Sequence, residues 1–294
     1  MKIERIGFMT PGDMGQGVAM QLKKKGFDVR SALDKRSERS RKMAAEAGLT
    51  DVGSISRLVA EADLVMSVMN PGAALEFARE AAEAIRGQSH KPVFIDCNAV
   101  SPDTMREIDA ALRAAGSRCL DGGLIGPPPR GNAKVNLYVS GPGVADLEQI
   151  ANEQLKVHVM SERLGDASAI KMCYSAFNKG TQGLALETLM AAQRLGVYEA
   201  LEKQILSSRS DMYNSFLNAF PQLPPKAYRW VPEMHEIART FEGVGMTPRI
   251  FQGEADMFEL VAATPLGKET PETRDRARTG KDVIVQLAQS GDKK

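Results

Sequence analysis

The sequence predicts an α/β domain followed by an all-helical domain, and two observations support this prediction. In the first half, short apolar runs alternate with amphipathic stretches of about 10 to 15 residues, which is the pattern of βαβ units on a parallel sheet. After about residue 162, helical residues continue almost unbroken from Asp166 to Leu195. We therefore expect two domains, 1–162 and 163–294, the second built around one long helix.

The strand candidates of the first half are short apolar runs bounded by polar or turn residues. They are 5–9, 27–33, 63–69, 92–97, 117–122, 135–141 and 156–161. Helices are expected to begin near Gln16, Ser37, Ser54, Ala73 and Pro102. The last start is the best formed, because Ser101 is a suitable N-cap and Pro102 suits a first turn. Beyond the long helix, the sequence predicts further helices broken at 220–226, 243–248 and 264–271.

The composition argues against several classes of protein. The 294 residues are 43% hydrophobic and 26% charged, as in soluble globular proteins. A net charge of +1 argues against broad electrostatic binding to nucleic acid or membranes. The cysteines lack C-x-x-C spacing and the histidines are scattered, so we expect neither a disulfide framework nor a metal site. With no apolar signal-peptide segment at the start, we expect a cytoplasmic protein.

The main functional signal is the glycine cluster "TPGDMGQG" (10–17), which follows the first strand candidate and precedes a helix. Glycines at such a turn let the backbone approach a pyrophosphate, and the helix N-terminus supplies unpaired N–H groups and partial positive charge. Thr10 replaces the leading glycine of the G-x-G-x-x-G motif. An ordinary βα turn is the alternative. The context favours a Rossmann-like, dinucleotide-binding first domain, whose cofactor would meet Pro11, Gly12, Asp13, Met14 and Gly15.

The end of the second strand candidate bears on the choice between NAD and NADP. Asp34 can accept hydrogen bonds from a ribose hydroxyl, which favours NAD. Lys35, Arg36 and Ser37 can instead hold a 2′-phosphate through charge-assisted hydrogen bonds. We favour NADP, and Asp34 leaves NAD open. Met69, at the end of the third strand candidate, is a further expected cofactor contact.

Three segments resemble the β-hydroxyacid dehydrogenase superfamily, which includes 3-hydroxyisobutyrate and 6-phosphogluconate dehydrogenases. "IGFMTPGDMGQGVAMQLKKKGFDV" (6–29) resembles the family's N-terminal fingerprint, and "DCNAVSPDT" (96–104) is similar to its D-x-S-T-x-x-P segment. "GDASAIKMCYSAFNKG" (165–180) looks like its catalytic helix. "LDKRS" and "KMCYSAFNKG" look closest to a divergent NADP-binding branch. The resemblance also implies a homodimer.

The resemblance places Lys171 at the family's catalytic lysine. Apolar neighbours in "SAIKMCY" would favour the neutral amine, which suits proton transfer, whereas a lysine reaching solvent from a helix edge is the alternative. Tyr174, Ser175 and Asn178 follow on or beside the same helix face and are candidate substrate ligands. Asn98 is a candidate ligand of either the nicotinamide or the substrate.

The family's substrate loop, D-x-P-V-S-G-G, is altered in this chain. Residues 121–127 read "DGGLIGP", so Ile125 replaces the serine hydroxyl, and the prolines at 127–129 offer no N–H donors. Gly126 remains a candidate substrate contact. Arg130, the cation directly after these prolines, could replace the lost donors for a carboxylate, or could be a surface residue.

These features together predict an NADP-dependent oxidoreductase. It would transfer a hydride between nicotinamide and the CH–OH or C=O group of a small hydroxy acid or related polar alcohol, with Lys171 as acid/base. One alternative is an imine or ketone reductase on the same fold, although imine reductases tend to replace the family lysine. The other is a non-catalytic NADPH-binding sensor, which the altered substrate loop suggests.

Overall fold

The computed structural model describes residues 1–290. Its contacts divide the chain into two compact units, Met1–Met172 and a second that begins at Cys173. We expected the boundary at residue 162, at the start of the long helix, whereas the division falls within that helix. Among residues 1–290, no helix combines the length and apolar character needed to cross a membrane.

The first unit contains one eight-stranded sheet with its helices. In chain order, the strands are β1 (Arg5–Met9), β2 (Asp28–Ser31), β3 (Thr50–Asp51), β4 (Leu64–Ser67), β5 (Val93–Asp96), β6 (Cys119–Ile125), β7 (Val135–Ser140) and β8 (Leu155–Ser161). The helices are α1 (Asp13–Lys24), α2 (Glu38–Glu46), α3 (Ile55–Glu61), α4 (Ala74–Arg86), α5 (Pro102–Ala114) and the start of α6 (Asp166–Ser175).

The strand order is β3-β2-β1-β4-β5-β6-β7-β8. The first six strands are parallel, in the order of a doubly wound dinucleotide-binding fold. The expectation of a parallel sheet is wrong at one pair, because β6 and β7 run antiparallel. The connection between them, 126–134, contains no helix and is too short for the crossover that parallel neighbours need.

Both faces of the parallel sheet are covered, which explains why its strands read as apolar runs. On β4, Leu64 and Met66 join one buried apolar cluster and Val65 joins the other. The predicted bounds of β1 are confirmed, whereas the other predicted strands differ at one or both ends. The two-residue strand β3 was missed because both of its residues are polar and exposed. The predicted cap of α5 is confirmed, since Ser101 Oγ accepts from Thr104 N–H at 3.1 Å.

The second unit is helical. After α6 the backbone passes through a π-helical turn, Ala176–Gly180, into α7 (Thr181–Arg194), so the predicted long helix is confirmed. The remaining helices are α8 (Tyr198–Ala219), α9 (Ala227–Glu242), α10 (Arg249–Ala263) and α11 (Gly280–Gln289). Gly180 and Gly183 lie where side chains of α10 approach closely. A Cβ at Gly180 would lie 3.2 Å from the Phe251 ring, and one at Gly183 would overlap the Glu254 carboxylate.

Candidate nucleotide-binding and catalytic site

The turn after β1 lies at the carboxyl ends of β1 and β4, where the strand order reverses. The turn is tied to the β4 loop by Thr10 N–H, which donates to Val68 O at 2.8 Å. Helix α1 begins at Asp13 with Gly12 as its N-cap, and Gln16 N–H donates to Gly12 O at 2.7 Å. The N–H groups of residues 13–15 precede that bond, so the helix itself does not use them.

The glycines of this turn differ in what surrounds them. A Cβ built on Gly12 meets nothing within 4 Å, so the space beside this N-cap is open. A Cβ on Gly15 would overlap the Thr10 carbonyl oxygen, and one on Gly17 would lie 2.9 Å from Pro129 Cδ. Gly15 and Gly17 are therefore packing positions. The open space at Gly12, beside unused N–H groups at a helix start, fits the pyrophosphate of a dinucleotide.

A cavity of about 370 Å³ lies at the end of β2, and its lining residues include Asp34, Lys35 and Glu80. The Asp34 carboxylate accepts from Lys35 N–H at 2.9 Å, while Lys35 Nζ lies 3.8 Å from the Glu80 carboxylate. Ser37 is the N-cap of α2. Arg41 donates to the backbone carbonyls of Asp34 and Arg36, at 2.9 and 3.1 Å, and so fixes this loop.

The Asn98 side chain is buried and hydrogen-bonded within the first unit. Its Nδ2 donates to Asp96 Oδ2 at 2.7 Å and to Ser67 Oγ at 2.8 Å, and its Oδ1 accepts from Met69 N–H. We expected this amide to meet the nicotinamide or the substrate. In the structure it joins the loops that follow β4 and β5, including Met69, the other residue predicted near the cofactor.

Asp96 and Asp121 face each other in register on β5 and β6, and both are fully buried. Burial raises the pKa of Asp96 to about 7; the Asp121 carboxylate adds to this rise, whereas hydrogen bonds from Asn98 and Ser67 oppose it. Burial also raises the pKa of Asp121, against hydrogen bonds from Ser168, Ser140 and Gly165. Asp96 therefore titrates close to neutral pH.

Asp121 fixes the start of α6. Its Oδ2 accepts from Gly165 N–H, Ser168 N–H and Ser140 Oγ, at 3.0, 2.9 and 3.1 Å, and its Oδ1 accepts from Ser168 Oγ at 2.6 Å. We did not assign functions to Asp96, Ser140 or Ser168 from the sequence. The available signal was an aspartate directly after apolar residues, in "FIDC" and "CLDG".

Lys171 is half-buried and lies against the same strand, β6. Its Nζ donates to Leu124 O at 2.8 Å. Gly123 makes this approach possible, since a Cβ there would lie 3.0 Å from Lys171 Cβ and 2.8 Å from Ala167 O. The strand thus fixes the helix through Asp121 and contacts the amine through Leu124. A lysine amine beside a strand end, with a carbonyl as partner, is suited to accept and donate a proton.

The loop after β6 lies on α1. Pro129 packs on Gly17, and the buried Gln21 Nε2 donates to Pro129 O at 2.8 Å. Arg130, which we expected at a substrate carboxylate, donates to Asp13 Oδ1, Asp13 O and Gln16 Oε1, at 2.8, 2.8 and 2.7 Å. Gly126 is exposed and has a φ of 131°, a conformation that favours glycine.

The candidates that follow Lys171 have different surroundings. Ser175 is buried, Tyr174 is exposed, and the Asn178 backbone carbonyl accepts from Gln182 Nε2 at 2.9 Å. The π-helical turn begins at Ala176 and interrupts the period of about 3.6 residues on which we placed Asn178 on the face of Lys171. Their contact with a substrate stays a prediction.

Two family models match the chain. Residues 5–150 match the NAD binding domain of 6-phosphogluconate dehydrogenase, and residues 192–261 match a domain of unknown function (DUF1932). The 3-hydroxyisobutyrate dehydrogenase of Pseudomonas aeruginosa is 24% identical over 272 residues, which are 89% of this chain and 88% of that protein.

Solved structures share the fold. The 3-hydroxyisobutyrate dehydrogenase of Mycobacterium tuberculosis, solved with L-serine, has a TM-score of 0.67 at 20% identity and covers 97% of this chain and 99% of its own. An imine reductase from Bacillus cereus has a TM-score of 0.55 at 17% identity, over 91% and 96% of the two chains. With an NAD-binding family model over most of the sheet and a 3-hydroxyisobutyrate dehydrogenase aligned along 89% of the chain, the protein belongs to the β-hydroxyacid dehydrogenase superfamily.

Proposed function

We propose that the protein is an NADP-dependent oxidoreductase. It transfers a hydride between the nicotinamide and the CH–OH or C=O group of a small hydroxy acid or related polar alcohol. Two features of one sheet carry the proposal. The turn after β1 is open at Gly12, and the Lys171 amine donates to Leu124 O on β6. The family supports an NAD(P)-dependent dehydrogenase or reductase, and the 3-hydroxyisobutyrate dehydrogenases among the relatives favour a hydroxy acid.

The preference for NADP rests on the loop after β2. Asp34 already accepts the Lys35 N–H, whereas Arg36 and Ser37 lie at the start of α2, where a helix N-terminus adds positive potential. The 2′-phosphate of NADP would bind well to such donors, because hydrogen bonds to a charged group are stronger than those to a neutral hydroxyl. Glu80 and Glu83 line the neighbouring cavity and oppose this preference. Comparing the affinities for NADPH and NADH therefore tests this part of the proposal separately.

Lys171 is the proposed proton donor and acceptor. The dinucleotide supplies the hydride chemistry when bound, and the protein supplies position and proton transfer. Leu124 O holds the ammonium group when Lys171 is protonated, and this hydrogen bond keeps the amine at the end of β6. In the reducing direction, Lys171 would give its proton to the forming hydroxyl. In the oxidising direction, the neutral amine would take that proton back.

Screening for NADPH oxidation across small oxo acids, oxo alcohols and cyclic imines tests the function. We expect turnover of an oxo acid, and loss of that turnover in Lys171→Ala. Turnover of imines alone would instead favour an imine reductase. Tight binding of NADPH without turnover on the whole panel would favour the non-catalytic sensor.

We also propose that the protein is a homodimer joined through its second unit. A cavity of about 620 Å³ in that unit has Phe177, Leu184 and Ile250 among its lining residues. These side chains are 76%, 62% and 62% exposed. Apolar side chains clustered around a groove commonly mark an interface between proteins. A second copy would present the same protruding side chains and the same groove, as a twofold interface requires.

A further inference from the structure

The loop after β6 carries a cation that the proposed chemistry does not use. Arg130 lies in "PPPRG", and its guanidinium spans the first turn of α1. Nη1 donates to Asp13 Oδ1 at 2.8 Å, while Nη2 donates to Asp13 O at 2.8 Å and to Gln16 Oε1 at 2.7 Å. These bonds join the loop after β6 to the first turn of α1, the helix that follows the glycine turn.

The ion pair between Arg130 and Asp13 contributes little to the stability of the fold. The side chains of Arg130 and Asp13 are 40% and 34% exposed, and pairs so exposed contribute little to stability. Other contacts hold the loop on α1, namely the buried hydrogen bond from Gln21 to Pro129 O and the packing of Pro129 on Gly17. The loop should therefore keep its place when the charge of Arg130 is removed.

Asp13 creates an electrostatic conflict at the proposed cofactor site. A carboxylate in the first turn stabilises an empty helix N-terminus, because it complements the positive end of the helix dipole. The same residue begins the helix whose first N–H groups, those of residues 13–15, would bind a pyrophosphate, and like charges at one helix end repel each other. A cation paired with Asp13 removes most of that repulsion.

We propose that Arg130 is a positioning residue for the cofactor, acting through Asp13. By holding the Asp13 carboxylate and cancelling its charge, it permits the N-terminus of α1 to bind the pyrophosphate of the dinucleotide. The inference rests on the proposed binding of that dinucleotide at the glycine turn. It assigns Arg130 to cofactor affinity instead of to a substrate carboxylate.

Fluorescence titration with NADPH tests this assignment without any turnover, using Arg130→Met, Asp13→Asn and the double variant. Arg130→Met should weaken binding roughly five- to tenfold, which is the weight of one charge near a helix N-terminus. Asp13→Asn should bind as tightly as the wild type or more tightly. The double variant should return to within about twofold of Asp13→Asn, because the two positions are coupled. Arg130→Lys should lie between the wild type and Arg130→Met, since it keeps the charge without the fork geometry.

Lys134→Met is the matched control, because Lys134 is an exposed cation of the same loop, and its NADPH affinity should not change. The weakening in Arg130→Met should also shrink as salt is added, because salt screens exposed charges.

Three results would overturn the inference alone. The first is wild-type NADPH affinity and wild-type KM in Arg130→Met. The second is a double variant that binds NADPH as weakly as Arg130→Met, which would mean that Arg130 contacts the cofactor directly or only holds the loop. The third is wild-type NADPH affinity in Arg130→Met with a raised KM for the oxo acid, which would mean that Arg130 binds the substrate. A wild-type protein that binds neither NADPH nor NADH would overturn the proposed function as well.

Discussion

At the residue scale, Gly12 and Gly15 have different surroundings within one turn. Gly12 has an extended backbone that any residue can adopt, and a Cβ there would meet no protein atom within 4 Å. At Gly15, a Cβ would overlap the backbone oxygen of Thr10, which cannot move aside as a flexible side chain can. The same substitution should therefore affect stability at Gly15 and ligand binding at Gly12.

We expect Gly15→Ala to lower the free energy of unfolding by about 1–3 kcal/mol, the usual cost of overpacking. Gly12→Ala should unfold like the wild type but bind NADPH about tenfold more weakly, because its methyl group enters the space where the backbone must approach the ligand. Urea unfolding and fluorescence titration measure the two effects. Unchanged NADPH affinity in Gly12→Ala would show that the pyrophosphate does not lie beside Gly12.

Individual residues also show where the sequence predicts the site and where it does not. The glycine turn and Lys171 could be singled out because each lies within one continuous motif, and their roles stay predictions. The partners that Asn98 and Arg130 find on other elements could not be predicted, since Ser67 ends β4, Met69 follows it, and Asp13 is 117 positions from Arg130. Both side chains hydrogen-bond inside the first unit, and their contact with a ligand stays a prediction.

At the element scale, β6 fixes helix α6, which carries Lys171. Its first part carries Asp121, which accepts the N–H groups at the start of α6, and its last part presents Leu124 O to Lys171. Between them, Gly123 lets the two elements approach closely. The family motif has a proline in the place of Gly123, so the sequence shows that this strand is altered without showing what the alteration permits.

The contribution of Asp121 can be measured with a matched pair of substitutions. Asp121→Ala leaves two buried N–H groups and two hydroxyls without their acceptor, so we expect a loss of about 3 kcal/mol or more in the free energy of unfolding. Asp121→Asn should lose much less. Its remaining oxygen can take the three donors that now share Oδ2, and the Ser168 hydroxyl can turn to accept from the amide. Equal losses in the two variants would mean that the negative charge matters more than the hydrogen bonds.

Other elements differ in how well the sequence close to them predicts their structure. The strand β1 and the cap of α5 were predictable because apolar pattern and capping are local. The antiparallel pairing of β6 with β7 was missed because it depends on the length of the connection and not on the pattern within either strand. The π-helical turn in the long helix has no local signal that we recognised, although Gly180 ends it.

At the scale of the whole molecule, the alternation of strands and helices in the first half was readable because its strands are apolar runs separated by amphipathic stretches. The exposed apolar groove of the second unit was not readable, since its lining residues come from α7, α9 and α10 as well as the π-helical turn. The surface proposed for the dimer interface is therefore formed only on folding, and no single sequence motif encodes it.

Light scattering tests the proposed homodimer. We expect twice the chain mass of 31.9 kDa for the wild type and a monomer for Leu184→Glu, because the new charge would be buried in the interface. Leu195→Glu is the control, since Leu195 is 75% exposed but does not line the groove, and it should remain a dimer. A monomeric wild type would contradict the proposal.

The central claim is that this chain couples an NADP site to proton transfer by Lys171. Its most direct test is steady-state NADPH oxidation with the best oxo acid of the panel, for the wild type and Lys171→Ala, together with the NADPH affinity of each. We predict that kcat falls by about 10²- to 10⁴-fold, the usual weight of general acid–base catalysis, while NADPH affinity stays within about twofold. A Lys171→Ala variant that binds NADPH normally and turns over at the wild-type rate would contradict the account.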